Sequence, residues 1–316
     1  YGPFFIDGTA PTNPAVTSSS HSLSTWSADH TIDVSWSGAT DGSGSGVQGY
    51  SIEWSTSGST LPDATQDTTG ASSTSAPLAE GNHWYFHIRT RDVAGNWTVG
   101  AAHYGPFAID TTPPSGGVLV NNEALYTNVP TVTLTISATD GGSGIDQMQI
   151  FEGLVEYPWE PYTNEKVITL RAEDGSKDVG VRFTDKLNWL SGDKTASIFL
   201  DTVAPNSQVN NLPPNSAPVF TVSWAGSDND PASGIGGYDV QCRVGESGDW
   251  LDWLTGTTDT SGTFNPAELS VPSGADTYYF RVRAKDRAGN IETYPSTPDT
   301  WTTVASFSIY LPITIR

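Results

Sequence analysis

The chain has 316 residues with a formal net charge of −21 at pH 7, and it is rich in glycine, serine, threonine, proline and tryptophan. This charge argues against nucleic acid or an anionic membrane as a partner, no apolar run is long enough to predict a membrane span, and the single cysteine excludes an internal disulfide framework. Few lysines, one cysteine and the acidic balance favour an extracellular or cell-surface protein over a cytosolic one.

In chain order, one pattern of elements occurs three times. Each repeat has an alternating apolar run, an acidic and glycine-rich loop, a second alternating run, and later a third such run that ends in a turn beginning with aspartate. The first runs are residues 31–36, 131–136 and 219–224, and the loops are residues 37–46, 137–144 and 225–234. The third runs are residues 83–91, 179–183 and 278–284, and the turns are residues 92–96, 185–188 and 286–290.

A connecting segment recurs between these repeats. Residues 104–114 read YGPFAIDTTPP, residues 1–11 read YGPFFIDGTAP, and residues 197–205 read SIFLDTVAP. The alternating part predicts a strand, and the proline-rich end predicts a connector because proline cannot continue a sheet ladder. We therefore expect residues 1–7 to be the last strand of a preceding repeat with its connector. Without that repeat, residues 1–5 should be poorly ordered or held by a neighbouring molecule.

The repeats divide the chain into unit one (residues 8–110), unit two (111–201) and unit three (202–316). About seven short strands in roughly a hundred residues are typical of an immunoglobulin-like sandwich. The sequence therefore predicts an all-β string of three tandem β-sandwiches joined by short connectors.

Units one and three resemble fibronectin type III modules of bacterial secreted proteins. The residues that carry the resemblance are Trp36 and Trp224 in the second strand, Tyr50 and Tyr238 in the third, and the runs 78–81 and 271–274 that lead into Trp84 and Tyr278. Unit one has Trp84 where the family usually has a corner tyrosine. Unit two is similar to the related bacterial Ig-like repeats, with WEPY at 159–162 and DGSKDV at 174–179. The resemblance implies the sandwich fold but not one function, because such modules serve as spacers, adhesins and binding units.

The last residues depart from the repeat. Residues 308–316, SIYLPITIR, stand where another connector is expected. They resemble the short apolar endings of some secreted bacterial proteins, which would make them a natural C-terminus. The alternative is a final strand that packs on unit three.

The sequence contains no recognisable catalytic motif. All five histidines lie in unit one without the spacing of a zinc site, and no nucleophile elbow or phosphate-binding loop is present. We expect the histidines to be hydrogen-bonded or exposed and Cys242 to be a small core residue. The chain is therefore predicted to be non-enzymatic.

Two pairs of aromatic residues share the spacing W-x-x-aromatic in the middle of a unit. If they are exposed and coplanar, they could stack on sugar rings; otherwise they close the edge of a sandwich, because large aromatic residues dominate cores. The pairs are Trp159 with Tyr162 and Trp250 with Trp253.

Acidic residues occupy three matching positions in every unit: the connector, the loop after the second strand and the turn after the sixth. In a sandwich of this type we expect these segments to meet at one pole, the end where the connector arrives. The candidate metal ligands are Asp7, Asp41, Asp92 and Asn96 in unit one; Asp110, Asp140, Asp185 and Asn188 in unit two; and Asp201, Asp228, Asp230, Asp286 and Asn290 in unit three.

Converging carboxylates repel one another, and Ca²⁺ takes six to eight oxygen ligands of this kind. We therefore expect calcium to rigidify the junctions. The alternative is that these aspartates cap turns, for which aspartate is a common residue. Asn188 is the weakest candidate, because its turn is one residue shorter and lacks glycine.

Together these observations predict a non-catalytic stalk or adhesive segment of a larger secreted or surface protein. The alternative is a carbohydrate-binding accessory segment of an extracellular hydrolase. Further repeats upstream would favour the first, and a catalytic domain upstream would favour the second. The expected partners are an extracellular glycan or a protein.

Overall fold

A computed structural model describes residues 1–268 and 276–304 of the chain. The described residues form short strands and two single-turn 3₁₀ helices, Asn121–Glu123 and Pro266–Glu268. The strands make three β-sandwiches in a row, which confirms the all-β tandem architecture. The limits of the units at 8–110, 111–201 and 202–316 stay a prediction.

Unit one is a sandwich of two mostly antiparallel sheets. One sheet has the strand order β1-β3-β5 and the other β2-β7-β6-β4. The strands are β1 (Ala15–Ser18), β2 (Trp26–Ser27), β3 (Asp33–Ser37), β4 (Val47–Ser55), β5 (Ser72–Thr74), β6 (Gly81–Asp92) and β7 (Ala102–Ile109).

Unit two repeats this plan with extra short strands at one edge. Its sheets have the orders β14-β10-β8 and β12-β11-β15-β16-β9, and β13 also pairs with β11. The strands are β8 (Ser115–Val120), β9 (Tyr126–Thr127), β10 (Thr131–Thr139), β11 (Ile145–Glu152), β12 (Val155–Glu156), β13 (Glu160–Pro161), β14 (Glu165–Thr169), β15 (Gly175–Asp185) and β16 (Lys194–Leu200).

Unit three has the orders β17-β19-β22 and β18-β24-β23-β20-β21 in its described part. In all three units a two-residue strand, β2, β9 or β18, pairs parallel with the last strand while the rest of the sheet is antiparallel. The strands are β17 (Asn206–Val209), β18 (Asn215–Ser216), β19 (Phe220–Ser227), β20 (Ile235–Val244), β21 (Leu251–Thr257), β22 (Ser261–Phe264), β23 (Thr277–Asp286) and β24 (Thr300–Val304).

Three strands facing a sheet built around the third, sixth and seventh strands is the arrangement of fibronectin type III and Ig-like sandwiches. The resemblance read from the sequence is thereby confirmed. Trp84 replaces the corner tyrosine in unit one, because its indole Nε1 donates a hydrogen bond to the carbonyl oxygen of Ala79 at 2.7 Å. The run 271–274 and the tail 308–316 lie outside the described residues.

Each unit has its own core, formed by the inward residues of both sheets. In unit one Trp36 stacks on Phe86 with ring centroids 5.6 Å apart. In unit three Trp224 is buried in the same strand position. Unit two has no tryptophan there and is filled by aliphatic residues around Met148 and Phe183. The inward side chains of the alternating strands fill the core of each unit. The polar loops therefore lie at the poles, where the candidate sites are.

The run at the start of the chain lies on no sheet. Residues 1–6 form no strand, and the side chains of Phe4, Phe5 and Ile6 are 86, 94 and 95% exposed. The matching run at the end of unit one is the buried strand β7. That residues 1–5 are held by a partner stays a prediction.

Candidate metal centres at the unit junctions

Three aspartates meet at one pole of each unit. One comes from the connector, one from the loop between the second and third main strands, and one from the turn before the last strand. In each group every member offers a carboxylate oxygen within 4.8 Å of those of the others. We name them cluster one (Asp7, Asp41, Asp92), cluster two (Asp110, Asp140, Asp185) and cluster three (Asp201, Asp228, Asp286).

A Ser-Gly pair in the loop positions two of the three aspartates. In unit two the backbone N–H of Ser143 donates to Asp110 Oδ2 and the N–H of Gly144 donates to Asp140 Oδ1, both at 2.7 Å. The loop therefore closes around the connector carboxylate. The same bonds, at 2.7 to 2.9 Å, come from Ser45 and Gly46 in unit one and from Ser233 and Gly234 in unit three.

Two glycines make room for this approach. A Cβ atom on Gly142 would overlap the carboxylate of Asp110. A Cβ atom on Gly44 would likewise overlap the carboxylates of Asp7 and Asp41. Any side chain at these positions would push the connector away from the loop.

The turn aspartate caps its own turn with one oxygen. Asp185 Oδ1 accepts hydrogen bonds from the backbone N–H groups of Leu187 and Trp189, at 2.8 and 2.9 Å. Asp92 and Asp286 use Oδ1 in the same way. Turn capping therefore explains the hydrogen bonds of Oδ1 in each of these buried aspartates. The partner of the second oxygen, Oδ2, differs between the units.

In units one and three an asparagine satisfies that second oxygen. Asn290 Nδ2 donates to Asp286 Oδ2 at 2.7 Å and to the carbonyl oxygen of Asp201 at 2.8 Å. Asn96 Nδ2 bonds Asp92 Oδ2 at 2.8 Å and the carbonyl oxygen of Asp7 at 3.1 Å. Both asparagines thus tie the turn to the connector through N–H donors, and their role as metal ligands stays a prediction.

Unit two lacks this tie. Asn188 occupies a left-handed backbone position with φ of 67°, and Trp189 contacts the connector through Nε1, which donates to the carbonyl oxygen of Asp110 at 3.2 Å. Asp185 Oδ2 and Asp140 Oδ2 are both buried and have no hydrogen-bond partner. In cluster one only Asp41 Oδ1 is in this state, and no oxygen of cluster three is.

Burial and the closeness of the carboxylates shift the pKa values of several aspartates in the clusters. Burial, followed by the nearby carboxylates of Asp110 and Asp140, raises the pKa of Asp185 against its two N–H bonds. Burial also raises the pKa of Asp228, with Asp201 and Asp286 adding to it. Asp7, which is half-buried, differs because the N–H groups of Thr9 and Ser45 lower its pKa.

Asp230, the remaining candidate ligand, is exposed and lies outside cluster three. Its neighbour Asn229 contacts Asp228 by donating its backbone N–H to Oδ1 at 3.1 Å. The spacing from Asp228 to the loop glycine Gly234 is greater than the spacing from Asp41 to Gly46 or from Asp140 to Gly144, and sequence position alone did not separate Asp228 from Asp230.

The W-x-x-aromatic pairs are not coplanar exposed platforms. Tyr162 packs against the core of unit two, and Trp253 contacts Trp224 edge to face in unit three with centroids 6.0 Å apart. The other member of each pair lies elsewhere: Trp159 is 38% exposed, and Trp250 lies against arginine side chains. One member of each pair therefore closes a sandwich, as the alternative reading of the sequence has it.

The histidines are hydrogen-bonded or exposed, and the cysteine is buried. His87 is fully buried, with its Nδ1 2.7 Å from His103 Nδ1 and its Nε2 2.9 Å from Ser55 Oγ. Burial and the neighbouring His103 lower the pKa of His87 to about 4. Burial raises the pKa of Cys242 to about 12, so its thiol is kept protonated and unreactive.

No family model matches the chain. Its sequence is 29% identical over 302 residues to endoglucanase B of Cellulomonas fimi, covering 86% of this chain and 26% of that protein. It is 34% identical over 157 residues to exoglucanase B of the same species, covering 46% of this chain and 13% of that protein. The chain thus spans about a quarter or less of the curated relatives it matches.

The chain is similar to solved structures at low identity and low TM-score. Fibronectin(III)-like modules of Clostridium thermocellum CbhA have 11% identity and a TM-score of 0.35 over 60% of this chain and 94% of theirs. A Ca²⁺-stabilized adhesin from an Antarctic bacterium has 18% identity and a TM-score of 0.33 over 93% of this chain and 74% of its own. The strand order of the three units is the evidence for the fold.

Tandem sandwiches of this kind are a non-catalytic type of domain. Among the described residues, no helix is long and apolar enough to cross a membrane.

Proposed function

We propose that the chain is a non-catalytic spacer segment of a larger extracellular protein, and that Ca²⁺ bound in the three clusters stiffens its junctions. Cluster two carries the proposal. Asp140 Oδ2 and Asp185 Oδ2 are buried without a hydrogen-bond partner beside a third buried carboxylate, Asp110. A buried charge without a partner is strongly destabilising, and a bound cation removes that cost.

The chemistry of the cluster suits calcium better than other common ions. All the side-chain donors are oxygens, which hard cations prefer, and no histidine or thiolate takes part. Ca²⁺ accepts six to eight oxygens in irregular geometry, whereas Mg²⁺ demands a near-ideal octahedron. Loop carbonyl groups and water would complete the shell. At a free concentration about ten times its dissociation constant, each ion would add about 1.4 kcal/mol of stability.

The position of the clusters explains why an ion would stiffen the array. Asp110 directly follows β7, the last strand of unit one, yet its carboxylate accepts a bond from Ser143 in the loop of unit two. Asp201 directly follows β16 and is bonded in the same way by Ser233 of unit three. An ion at either place would join the end of one sandwich to the pole of the next, which restricts bending at the connector.

The similar proteins indicate which kind of larger protein would contain such a spacer. Two proteins named as glucanases contain a stretch similar to this chain, and the stretch is a minor part of each. We therefore infer an accessory segment of an extracellular glucan-degrading enzyme, with catalysis in another part of the protein. A stalk of a surface adhesin is the second candidate, supported by the same end-to-end arrangement.

Thermal melting of the whole chain tests the proposal. Added Ca²⁺ should raise the melting midpoint relative to chelator, and Mg²⁺ should do so much less. Asp185→Asn should lower the calcium gain, since it removes a ligand charge from cluster two. Asp146→Asn is the matched control, because Asp146 is an exposed aspartate of the same unit outside the cluster. An unchanged midpoint in calcium would contradict the proposal.

A further inference from the structure

The outer face of the five-stranded sheet in unit three carries an unusual row of side chains. Arginine and aromatic residues alternate there with their long sides in contact. The outward-facing residues on β20, β23 and β24 include Asp239, Gln241, Arg243, Tyr279, Arg281, Arg283 and Trp301.

The row is built by stacking. Arg243 Cζ lies 4.9 Å from the ring centroid of Trp250 and 5.0 Å from that of Tyr279. Arg281 Cζ lies 4.1 Å from the centroid of Trp250 and 4.6 Å from that of Tyr294. Each guanidinium therefore lies within cation–π distance of two rings, an arrangement that restrains its donors and so reduces the loss of side-chain entropy on binding.

The sandwich fold does not need this row. In unit two the positions that match Tyr279, Arg281 and Trp301 in the sheet are small or polar, and the sheet closes without them. They are Asp178, Gly180 and Ser197, and Ser197 Oγ donates to Asp178 Oδ1 at 2.6 Å. Unit two therefore lacks the row at these three positions, whereas unit one carries Tyr85 and His87 at the positions of Tyr279 and Arg281.

Structural partners account for two of the three arginines. Arg283 pairs with Asp239 at 2.8 Å. Arg281 donates from Nε to Gln241 Oε1 at 2.8 Å and from Nη1 to the carbonyl oxygen of Pro295 at 3.2 Å. Within residues 1–268 and 276–304, Arg243 forms no ion pair and its buried Nε has no hydrogen-bond partner. Its positive charge is therefore uncompensated.

An exposed tryptophan lies in register with this arginine. Trp301 on β24 pairs with Tyr279 on β23, and Tyr279 pairs with Arg243 on β20. Trp301 is 48% exposed. Two strand spacings separate Trp301 from Arg243, which is about 10 Å. An exposed indole and a guanidinium that has no ion-pair partner among the described residues thus lie on one face, with Tyr279 between them.

We propose that this face binds an acidic polysaccharide through a sugar residue that bears a carboxylate. The apolar face of the sugar ring stacks on the indole of Trp301, and the carboxylate receives two N–H bonds from Arg243. Charge complementarity favours this ligand over a neutral glycan, because a guanidinium and a carboxylate match in a bidentate geometry. Of the carboxylates on this face, Asp239 is paired with Arg283 and Asp252 accepts a hydrogen bond from Gln241, and charges further than about 8 Å are largely screened at physiological ionic strength.

Titration calorimetry of the whole chain with polygalacturonate, in chelator, tests the inference. Binding should be saturable, and a neutral β-1,4-glucan oligosaccharide should bind much more weakly. Arg243→Gln and Trp301→Ala should each lower the affinity about ten-fold, the size expected for losing a charged hydrogen bond or an aromatic contact. Arg182→Gln is the matched control, because Arg182 is the outer-face arginine of unit two that lies over Phe151.

A second variant guards against misfolding. Arg243→Lys keeps the charge and the stem but loses the bidentate fork, so it should bind with intermediate affinity at an unchanged melting midpoint. Equal affinity for the neutral oligosaccharide, binding that requires calcium, or no binding in chelator would each overturn the inference. Because the assay is run without Ca²⁺, its result is independent of the metal proposal.

Discussion

Clusters two and three are assembled from the same parts and completed differently. Both have a connector aspartate held by a Ser-Gly loop and a buried turn aspartate whose Oδ1 caps the turn. In cluster three Asn290 then bonds both Asp286 Oδ2 and the connector. In cluster two Trp189 bonds the connector only, and Asp185 Oδ2 is left unpaired. One residue of the turn therefore decides whether the protein itself satisfies the buried carboxylate.

The difference predicts unequal dependence on an ion. An unsatisfied buried acceptor costs about 1–3 kcal/mol, and more if it is charged. Cluster three offsets this cost with a side-chain amide, while cluster two has no protein group to do so. We expect calcium to matter most at the junction between units one and two, and least where an asparagine is present.

The largest effect should come from filling the space between loop and connector. Gly142→Ala places a Cβ atom on the carboxylate of Asp110 and should destabilise unit two by about 3 kcal/mol, as overpacking does. Gly141→Ala is the control, since nothing lies within 4 Å of its Cβ position. Chemical denaturation measures both, and equal stability of the two variants would refute the geometry described for cluster two.

A smaller loss should follow removal of the asparagine tie. Asn290→Ala leaves Asp286 Oδ2 and the carbonyl oxygen of Asp201 without their donor, and should cost about 2 kcal/mol in chelator. It should also raise the calcium dependence of unit three toward that of unit two. If the calcium gain in melting midpoint stays as in the unchanged chain, the comparison between the two turns fails.

The corresponding change in unit two should have little cost. Asn188→Gly removes a side chain at a φ of 67°, where glycine is free of strain, so the stability should stay equal or rise by about 0.5 kcal/mol. A loss similar to that of Asn290→Ala, measured by the same denaturation, would show that Asn188 takes part in cluster two after all.

The sign of the pH dependence sharpens the comparison further. Because the pKa of Asp185 is raised in the folded state, the folded chain binds more protons than the unfolded chain between the two pKa values. Without calcium, cluster two should therefore gain stability as the pH falls through the folded pKa toward 4. With calcium, protons compete with the ion and the sign reverses.

Melting curves from pH 7 to 4.5, with calcium and with chelator, measure this reversal. Asp185→Asn should flatten the contribution of cluster two in chelator. The lowered pKa of His87 acts in the opposite direction, because unit one loses stability as the pH falls from about 6.5 toward about 4. A His87→Gln background removes that part, and the same sign with and without calcium would then contradict the assignment.

Much of the fold could be predicted from the sequence, because alternating runs such as Val34 and Trp36 leave one choice of buried face. The meeting of the three aspartates also follows from order along the chain. The direction in which a side chain points does not follow from that order. That Asn96 uses its Nδ2 donor, or that Trp189 replaces it in unit two, depends on distances between segments far apart in sequence.

Other features were missed for related reasons. The Ser-Gly pair of each loop was visible as a repeated dipeptide, yet its role lies in backbone N–H groups that carry no sequence signal. The spacing of Trp250 and Trp253 suggested a shared face. The irregular register where β20 pairs with β21 accompanies the packing of Trp253 into the core, whereas Trp250 precedes β21.

Direct measurement of bound calcium by equilibrium dialysis tests the central claim. At calcium concentrations up to a few times the 10⁻⁴–10⁻³ M dissociation constants of extracellular modules, the chain should bind one ion per cluster, three in all. Asp185→Asn should lose the ion of cluster two, while Asp146→Asn should keep all three. A chain that binds no calcium over this range would contradict the account.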